Sequence, residues 1–231
     1  MAKTYLEPQD IEQLEEAATC LRDQLLIRLL FWSGCRISEA LAIRVPEDID
    51  VPTDTITIKH LKARVRLLCP YCDTRMSRTA RFCPGCGKEV PKPIQHQQEA
   101  HRQRTIPLDT ETMNLLTDFI SRDHTKGLIF KICRNHAWKI IKDCAERAGL
   151  GKLVNPDTGE IRGISPHRLR DAFATMMVQR DDTTDSMRML QEMLGHQSIA
   201  TTLKYRKIAG GELQKWYQKT ANRGTKDGNG N

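Results

Sequence analysis

The chain has 231 residues, 39% of them hydrophobic, and a formal net charge of +7. That apolar content suffices for one good core and is too high for a disordered chain. No apolar run reaches bilayer length, since Arg28 interrupts Leu25 to Trp32, and the N-terminus lacks a charged-then-apolar leader; the expected location is the cytoplasm, with no membrane partner.

In chain order, Thr4 to Thr19 carry a helix-start signal, with Pro8 early and Asp10, Glu12, Glu15 and Glu16 near the positive end of the dipole. Arg22 to Trp32 predict a core helix, because Leu25, Leu26, Leu29 and Leu30 recur at helical spacing. Gly34 breaks it, Ser38 can cap a short helix through Ile43, and Arg36 is left on the turn between them. Ile49 to Val51 and Thr55 to Ile58 are β-type runs around the turn Pro52-Thr53-Asp54, and Arg104 to Leu108 is a third.

Between the last two runs lies Cys69-x2-Cys72-x10-Cys83-x2-Cys86, two Cys-Pro-x-Cys pairs at close range. In a chain without a leader this spacing predicts a metal site, and four thiolates leave no coordination position open for water, so the ion would be structural zinc; rubredoxin-like iron is the alternative. A ribbon of this size buries too little apolar surface to fold alone, so metal binding would supply its folding free energy. From Thr55 to Arg104 there are eleven Lys or Arg against three Asp or Glu, an excess that accounts for more than the whole chain's +7. Beside phosphate chemistry a basic stretch of this kind reads as a nucleic-acid footprint, with a stability clip or a protein-contacting knob as the alternatives for the ribbon. Gln95 to Gln103 reads as a polar return linker whose His96 and His101 are not ligands, and Cys20, Cys35, Cys133 and Cys144 read as buried thiols.

Asp109 opens another helix with Met113, Leu116 and Phe119 on its apolar side. Gly127 to Phe130 predicts a short buried connection, and a helix marked by Trp138, Ile140, Ile141 and Cys144 closes at Gly149. Ser165 as N-cap and Pro166 as first residue start the next helix, placing His167 and Arg170 three apart on one face. His196 follows the glycine that ends a further helix, Tyr205 lies nine residues later, and Gly210-Gly211 leads to an amphipathic tail with Leu213, Trp216 and Tyr217. Arginine and histidines beside a tyrosine suit a phosphodiester centre, where a phenol oxygen attacks phosphorus while charge-assisted donors hold its oxygens.

The runs from Pro166 to Thr175, from Leu194 to Tyr205 and from Ser33 to Leu41 closely resemble the tyrosine recombinase (phage-type integrase) family. The resemblance implies an α+β, mainly α catalytic fold over residues 1–221, with a small antiparallel sheet, a zinc ribbon at 67–94 inserted in the hairpin that carries the catalytic lysine, and a disordered tail at 222–231. No N-terminal core-binding domain is expected, since few residues precede Arg36; either the ribbon or an accessory protein would replace it, or the sequence is a shortened piece of a longer chain. It further implies site-specific cleavage and rejoining of double-stranded DNA through a 3′-phosphotyrosine, without ATP or a catalytic metal, by a nucleoid-associated homo-oligomer, a tetramer on DNA. Arg36, Arg170 and His196 would hold the phosphate, His167 would assist deprotonation of the nucleophile Tyr205, and Lys62, or Lys59, would protonate the leaving 5′-oxygen. The resemblance implies that the tail docks on a neighbouring subunit with Trp216 as an anchor, and packing back on its own domain is the alternative. Asp171 departs from the pattern, standing where many members have histidine. A cleavage-inactive DNA-binding regulator and a type IB-like topoisomerase are the rival readings.

Overall fold

The computed structural model describes residues 3–59, 64–77, 79–98, 103–155 and 158–209. The chain divides into two compact units, one of Met1–Ile58 with Arg104–Asn231 and the other of Lys59–Gln103.

Helix α1 (Pro8–Glu16) is shorter than the signal at Thr4 to Thr19 predicts. Asp10 sets its start, its carboxylate accepting from the Glu7 N–H at 2.9 Å. In α2 (Leu21–Trp32) the four predicted leucines are fully buried, together with Ile27 and Phe31. The next helix, α3 (Ile37–Ala40), is capped not by Ser38 but at Arg36, whose backbone N–H donates to the Glu39 carboxylate at 2.9 Å. Ser38 lies two residues past the cap position and sits inside the helix. Strands β1 (Arg44–Val45), β2 (Ile49–Asp50) and β3 (Thr55–Lys59) follow.

The second unit contains β4 (Arg64–Leu68), β5 (Arg75–Met76) and β6 (Ile94–Gln98), ordered β5-β4-β6. Ile94–Gln98 is therefore a strand, not the linker that its polarity suggests, because it pairs along the whole of β4 from Arg64↔Gln98 to Leu68↔Ile94. Cys69, Met76, Cys83 and Val90 form a small core of their own.

Strand β7 (Gln103–Pro107) completes a sheet of order β2-β3-β7, and the Leu108 N–H donates to the Asp54 carbonyl at 2.8 Å, so the returning strand runs back along β3. Helix α4 (Thr110–Arg122) is capped by Asp109, which accepts from Thr112 N. Strand β8 (Gly127–Leu128) pairs with β1; Ile129 and Phe130 behind it are buried but Leu128 is exposed. Helix α5 (Arg134–Arg147) buries Ile140, Ile141 and Cys144, whereas Trp138 is exposed. Cys20 and Cys133 are also exposed, because each is the residue from which a helix departs; only Cys35 and Cys144 of the four remaining cysteines are buried.

A two-stranded pairing of β9 (Leu153–Val154) with β10 (Ile161–Arg162) leads to α6 (Pro166–Arg180), α7 (Thr184–Leu194) and α8 (Ile199–Ala209). Nine residues of α6 are buried, and Phe173 meets Phe31 of α2 edge to face at 6.2 Å. Ser165 is the N-cap as expected, though its hydroxyl makes no capping bond. Among the described residues no helix is long and apolar enough to cross a membrane. Lys62, His101 and the tail with Leu213, Trp216 and Tyr217 lie outside the described residues.

Candidate active site

The site is assembled where α2, α3, α6, α7 and α8 meet, and two glycines make the approach possible. Gly34 has φ +57°, and a Cβ there would lie 2.6 Å from the Phe173 ring. Gly195, with φ +65°, ends α7 as predicted and leaves room for Arg104, whose guanidinium would be 3.0 Å from an added Cβ. Both turns expose carbonyls to one buried side chain. Arg170, 2% exposed, donates to the Gly34 carbonyl at 2.6 Å and the Leu194 carbonyl at 2.7 Å, and lies 3.0 Å from His196 Nε2. Its donors are thus spread over three elements, which fixes the plane of the fork.

His196 is held from both sides. Arg170 can only donate, so Nε2 accepts and Nδ1 carries the proton toward Thr202 Oγ1 at 2.9 Å. Burial, then the nearby charges of Arg170, Arg36 and Arg104, lower the imidazole pKa to about 4. The ring is neutral at pH 7. It stacks on Tyr205 with centroids 6.2 Å apart and planes 14° from parallel.

Tyr205, 7% exposed, donates its phenol proton to Asp171 Oδ1 at 3.0 Å. Burial and then the Asp171 charge push its pKa above the usual phenol value. Asp171 also accepts from Arg168 Nη1 at 3.2 Å, and His167 Nε2 stands 3.8 Å from it. His167, in the first turn of α6, is itself 74% exposed, whereas Arg170 nearly one turn further along the helix is buried.

Arg36 reaches the same region through Glu39. That buried carboxylate accepts from Arg36 Nη1 at 2.9 Å and from Arg104 Nη2 at 2.7 Å, while Arg104 Nε donates to the Met193 carbonyl at 2.9 Å. Burial alone would raise the Glu39 pKa, but the Arg104 hydrogen bond and charge, followed by the Arg36 N–H and charge, hold it down at about 2. Glu39, Arg104 and Thr202 are partners that sequence reasoning did not single out, and Asp171 was noted only as a departure from the family pattern. Glu39 carried a local signal, three residues after the N-cap; Arg104 is 65 residues from Glu39 and carried none.

The structure thus gathers Arg36, His167, Arg170, His196 and Tyr205 in one cluster with an excess of cationic donors, a site suited to an anion. Lys59 is exposed at the end of β3. The model of the phage integrase family matches residues 4–211. The chain belongs to this family. Tyrosine recombinase XerD of Mycobacterium tuberculosis is 28% identical to this phage integrase family member over 191 residues, covering 80% of the chain and 47% of the relative. The chain spans about half the length of the curated relatives it matches. Its fold is that of the XerA recombinase crystal structure, with a TM-score of 0.63, 19% identity, and coverage of 95% of this chain and 66% of that one. It is also similar to the XerH site-specific recombinase bound to palindromic difH substrate in a post-cleavage complex, with a TM-score of 0.60, 18% identity, and coverage of 94% and 53%.

In the second unit Cys69, Cys72, Cys83 and Cys86 bring their sulfurs within 4.8 Å of one another, and none is in a disulfide. The Sγ separations of 3.7 Å for Cys69–Cys86 and 3.4 Å for Cys72–Cys83 approach the ~3.8 Å edge that a tetrahedron with zinc–sulfur bonds of about 2.3 Å requires. The two halves repeat one geometry. Tyr71 N and Gly85 N point at the first sulfur of their pair at 3.4 and 3.3 Å, and Asp73 N and Gly87 N donate to the carbonyls of Cys69 and Cys83 at 3.0 and 2.9 Å. Amide donors aimed at sulfur stabilise thiolates, so the donor set fits a closed metal site.

Proposed function

We propose that the chain is the catalytic part of a site-specific DNA recombinase. The observation that carries this reading is the buried Arg170, which anchors the Gly34 turn, the Leu194 turn and His196 beside the Tyr205 phenol. In the reaction, the Tyr205 oxygen bonds to phosphorus as the bond from phosphorus to the 5′-oxygen breaks, leaving a 3′-phosphotyrosine and a 5′-hydroxyl. Arg36 and Arg170 hold the non-bridging oxygens, and His196 adds a third contact, either by turning its Nδ1–H from Thr202 or by taking a proton from solvent, which the phosphate's negative charge favours. The phenol proton passes to Asp171, already its acceptor, or to His167, exposed beside it. Lys62 protonates the leaving oxygen, with Lys59 as the alternative. The reverse attack rejoins the strand, so no nucleotide cofactor is needed.

Double-stranded DNA is the substrate, bound by a homo-oligomer, and the four cysteines hold structural zinc. The relatives support the DNA reading alone, one being named a tyrosine recombinase and another a site-specific recombinase bound to its DNA substrate, while the metal reading is supported by the four clustered sulfurs. The test is a nicked duplex from beside the protein's own gene, which traps the covalent product. The parent chain should give SDS-resistant attachment and the Tyr205→Phe variant none; binding by both with attachment by neither would favour the regulator instead.

A further inference from the structure

The second unit shows a surface that the cleavage chemistry does not use. Arg75, Arg81, Lys88 and Lys92 are all exposed on it, against Asp73 and Glu89. Among the described residues none of Arg75, Arg81 and Lys92 is in an ion pair, while Lys88 lies over the Tyr71 ring at 4.7 Å. In the other unit Arg28, Arg36, Arg104, Arg122, Arg162 and Arg206 each face a carboxylate, while exposed cations without an ion pair among the described residues, such as Arg134, Lys139 and Arg188, are spread over a much longer stretch of chain. Two aromatic side chains of the unit are also exposed, Tyr71 58%, beneath Lys88, and Phe82 61%, next to Arg81 in the chain, although the unit has an apolar core of its own to receive them.

The pairing across the strands explains how this surface is made. Directly opposed residues share a face, so Arg75, Leu68 and Ile94 form one row and Met76 with Leu67 the other. Met76 is buried in the small core, whereas Ile94 and Arg75 are exposed. One face of the sheet is thus committed to the core near the sulfurs, and the opposite face carries apolar and cationic groups to solvent.

We infer that the metal ribbon is itself a duplex-DNA contact module, with Arg75, Arg81 and Lys92 on phosphates and Phe82 against the sugars and base edges of a groove. Unpaired guanidinium groups gain most from an anion that displaces counterions, and a polyphosphate of regular spacing supplies several at once. An exposed aromatic ring beside them supplies contact area that water leaves unused. The DNA partner is shared with the recombinase reading, and the inference rests on that reading for nothing else.

The experiment measures binding of the full zinc-loaded chain to a forty-base-pair duplex across a range of potassium chloride concentrations. The R75Q/R81Q/K92Q variant is compared with an equal change of charge at Arg134, Lys139 and Lys142 on α5. Loss of three phosphate contacts should flatten the log–log salt slope by about 2.7 and weaken binding on the order of a hundredfold near 0.1 M salt, while the α5 variant keeps the parent slope. Phe82→Ala should weaken binding with the slope unchanged. Zinc content, measured on every variant, confirms that the ribbon is folded. Parent-like slope and affinity in the ribbon variant, or equal losses in both charge variants, would overturn the inference. Covalent attachment through Tyr205 is scored on the same samples. Attachment with an unaltered slope leaves the recombinase reading standing without this one, and a flattened slope without attachment does the reverse.

Discussion

Glu39 decides where two arginines point. It is a buried carboxylate between Arg36 and Arg104, and replacing it with glutamine leaves Arg104 in a poorly solvated place with half a partner. Glu39→Gln should cost on the order of 3–5 kcal/mol in urea unfolding, the range for breaking a buried pair. Since the folded pKa is about 2, below its ordinary 4.5, the pair's contribution is fully present above pH 4.5 and is lost as pH falls toward 2; the glutamine variant should show a flatter acid limb. His196 works in the same direction from the opposite charge. Its folded pKa of about 4 lies below the usual 6.5, so the unfolded chain binds the extra proton first and stability falls as pH drops from about 6.5 to about 4. Nitrogen-15 NMR should find the ring neutral from about pH 5.5 upward, with its single proton on Nδ1; a ring that titrates at the ordinary value would contradict the Arg170 contact. Asp171→Asn should let the Tyr205 phenol ionise at lower pH than in the parent, followed by phenolate absorbance, because the second-largest cause of its raised pKa is removed and burial remains. The positions of Arg36, Arg170, His196 and Tyr205 were legible from motif spacing. Most of their partners were not, because Arg104 meets Glu39 across 65 residues of chain, an approach that no local pattern encodes.

At the scale of elements, the helices with a strong apolar period were readable and their ends less so. The short helix after Gly34 depended on which side chain could reach a backbone N–H, and Glu39 reached it from inside the helix. Strand β6 was hidden because Gln95, His96, Gln97 and Gln98 have no apolar alternation; pairing with β4, rather than propensity, makes it a strand. The cysteine pairs, by contrast, were legible as a unit, since thiol spacing is a local property. One glycine in them has a steric task. A Cβ at Gly85 would lie 2.3 Å from Thr74 Oγ1, so the second loop can press against the first only without a side chain there. Gly85→Ala should weaken cobalt binding, followed by its thiolate charge-transfer absorbance, at least tenfold. Val90→Ala, at the edge of the small core, should weaken it less.

Taken whole, the molecule has two cores, and their folding free energies come from different sources. The larger rests on apolar burial along α2 and α6. Among the described residues the smaller has Cys69, Met76, Cys83 and Val90, with Leu67 and Ala80 beside them, too few groups to offset the entropy of ordering the unit. Removing the metal with a chelator should therefore leave far-UV helical signal and the main thermal transition in place while abolishing amide protection in β4 to β6; loss of the main transition as well would show that the two cores fold as one. The Leu108 N–H bond to the Asp54 carbonyl sets β7 back along β3, so the strand ends at Lys59 and Gln103 come to neighbouring places in the sheet. To that sheet, residues 60–102 are a turn whose length hardly matters, since closure entropy rises only by about 0.6 kcal/mol for each doubling of the loop. The hairpin is thus a port: a segment able to fold on its own terms can be gained, lost or exchanged there while every strand of the parent keeps its register.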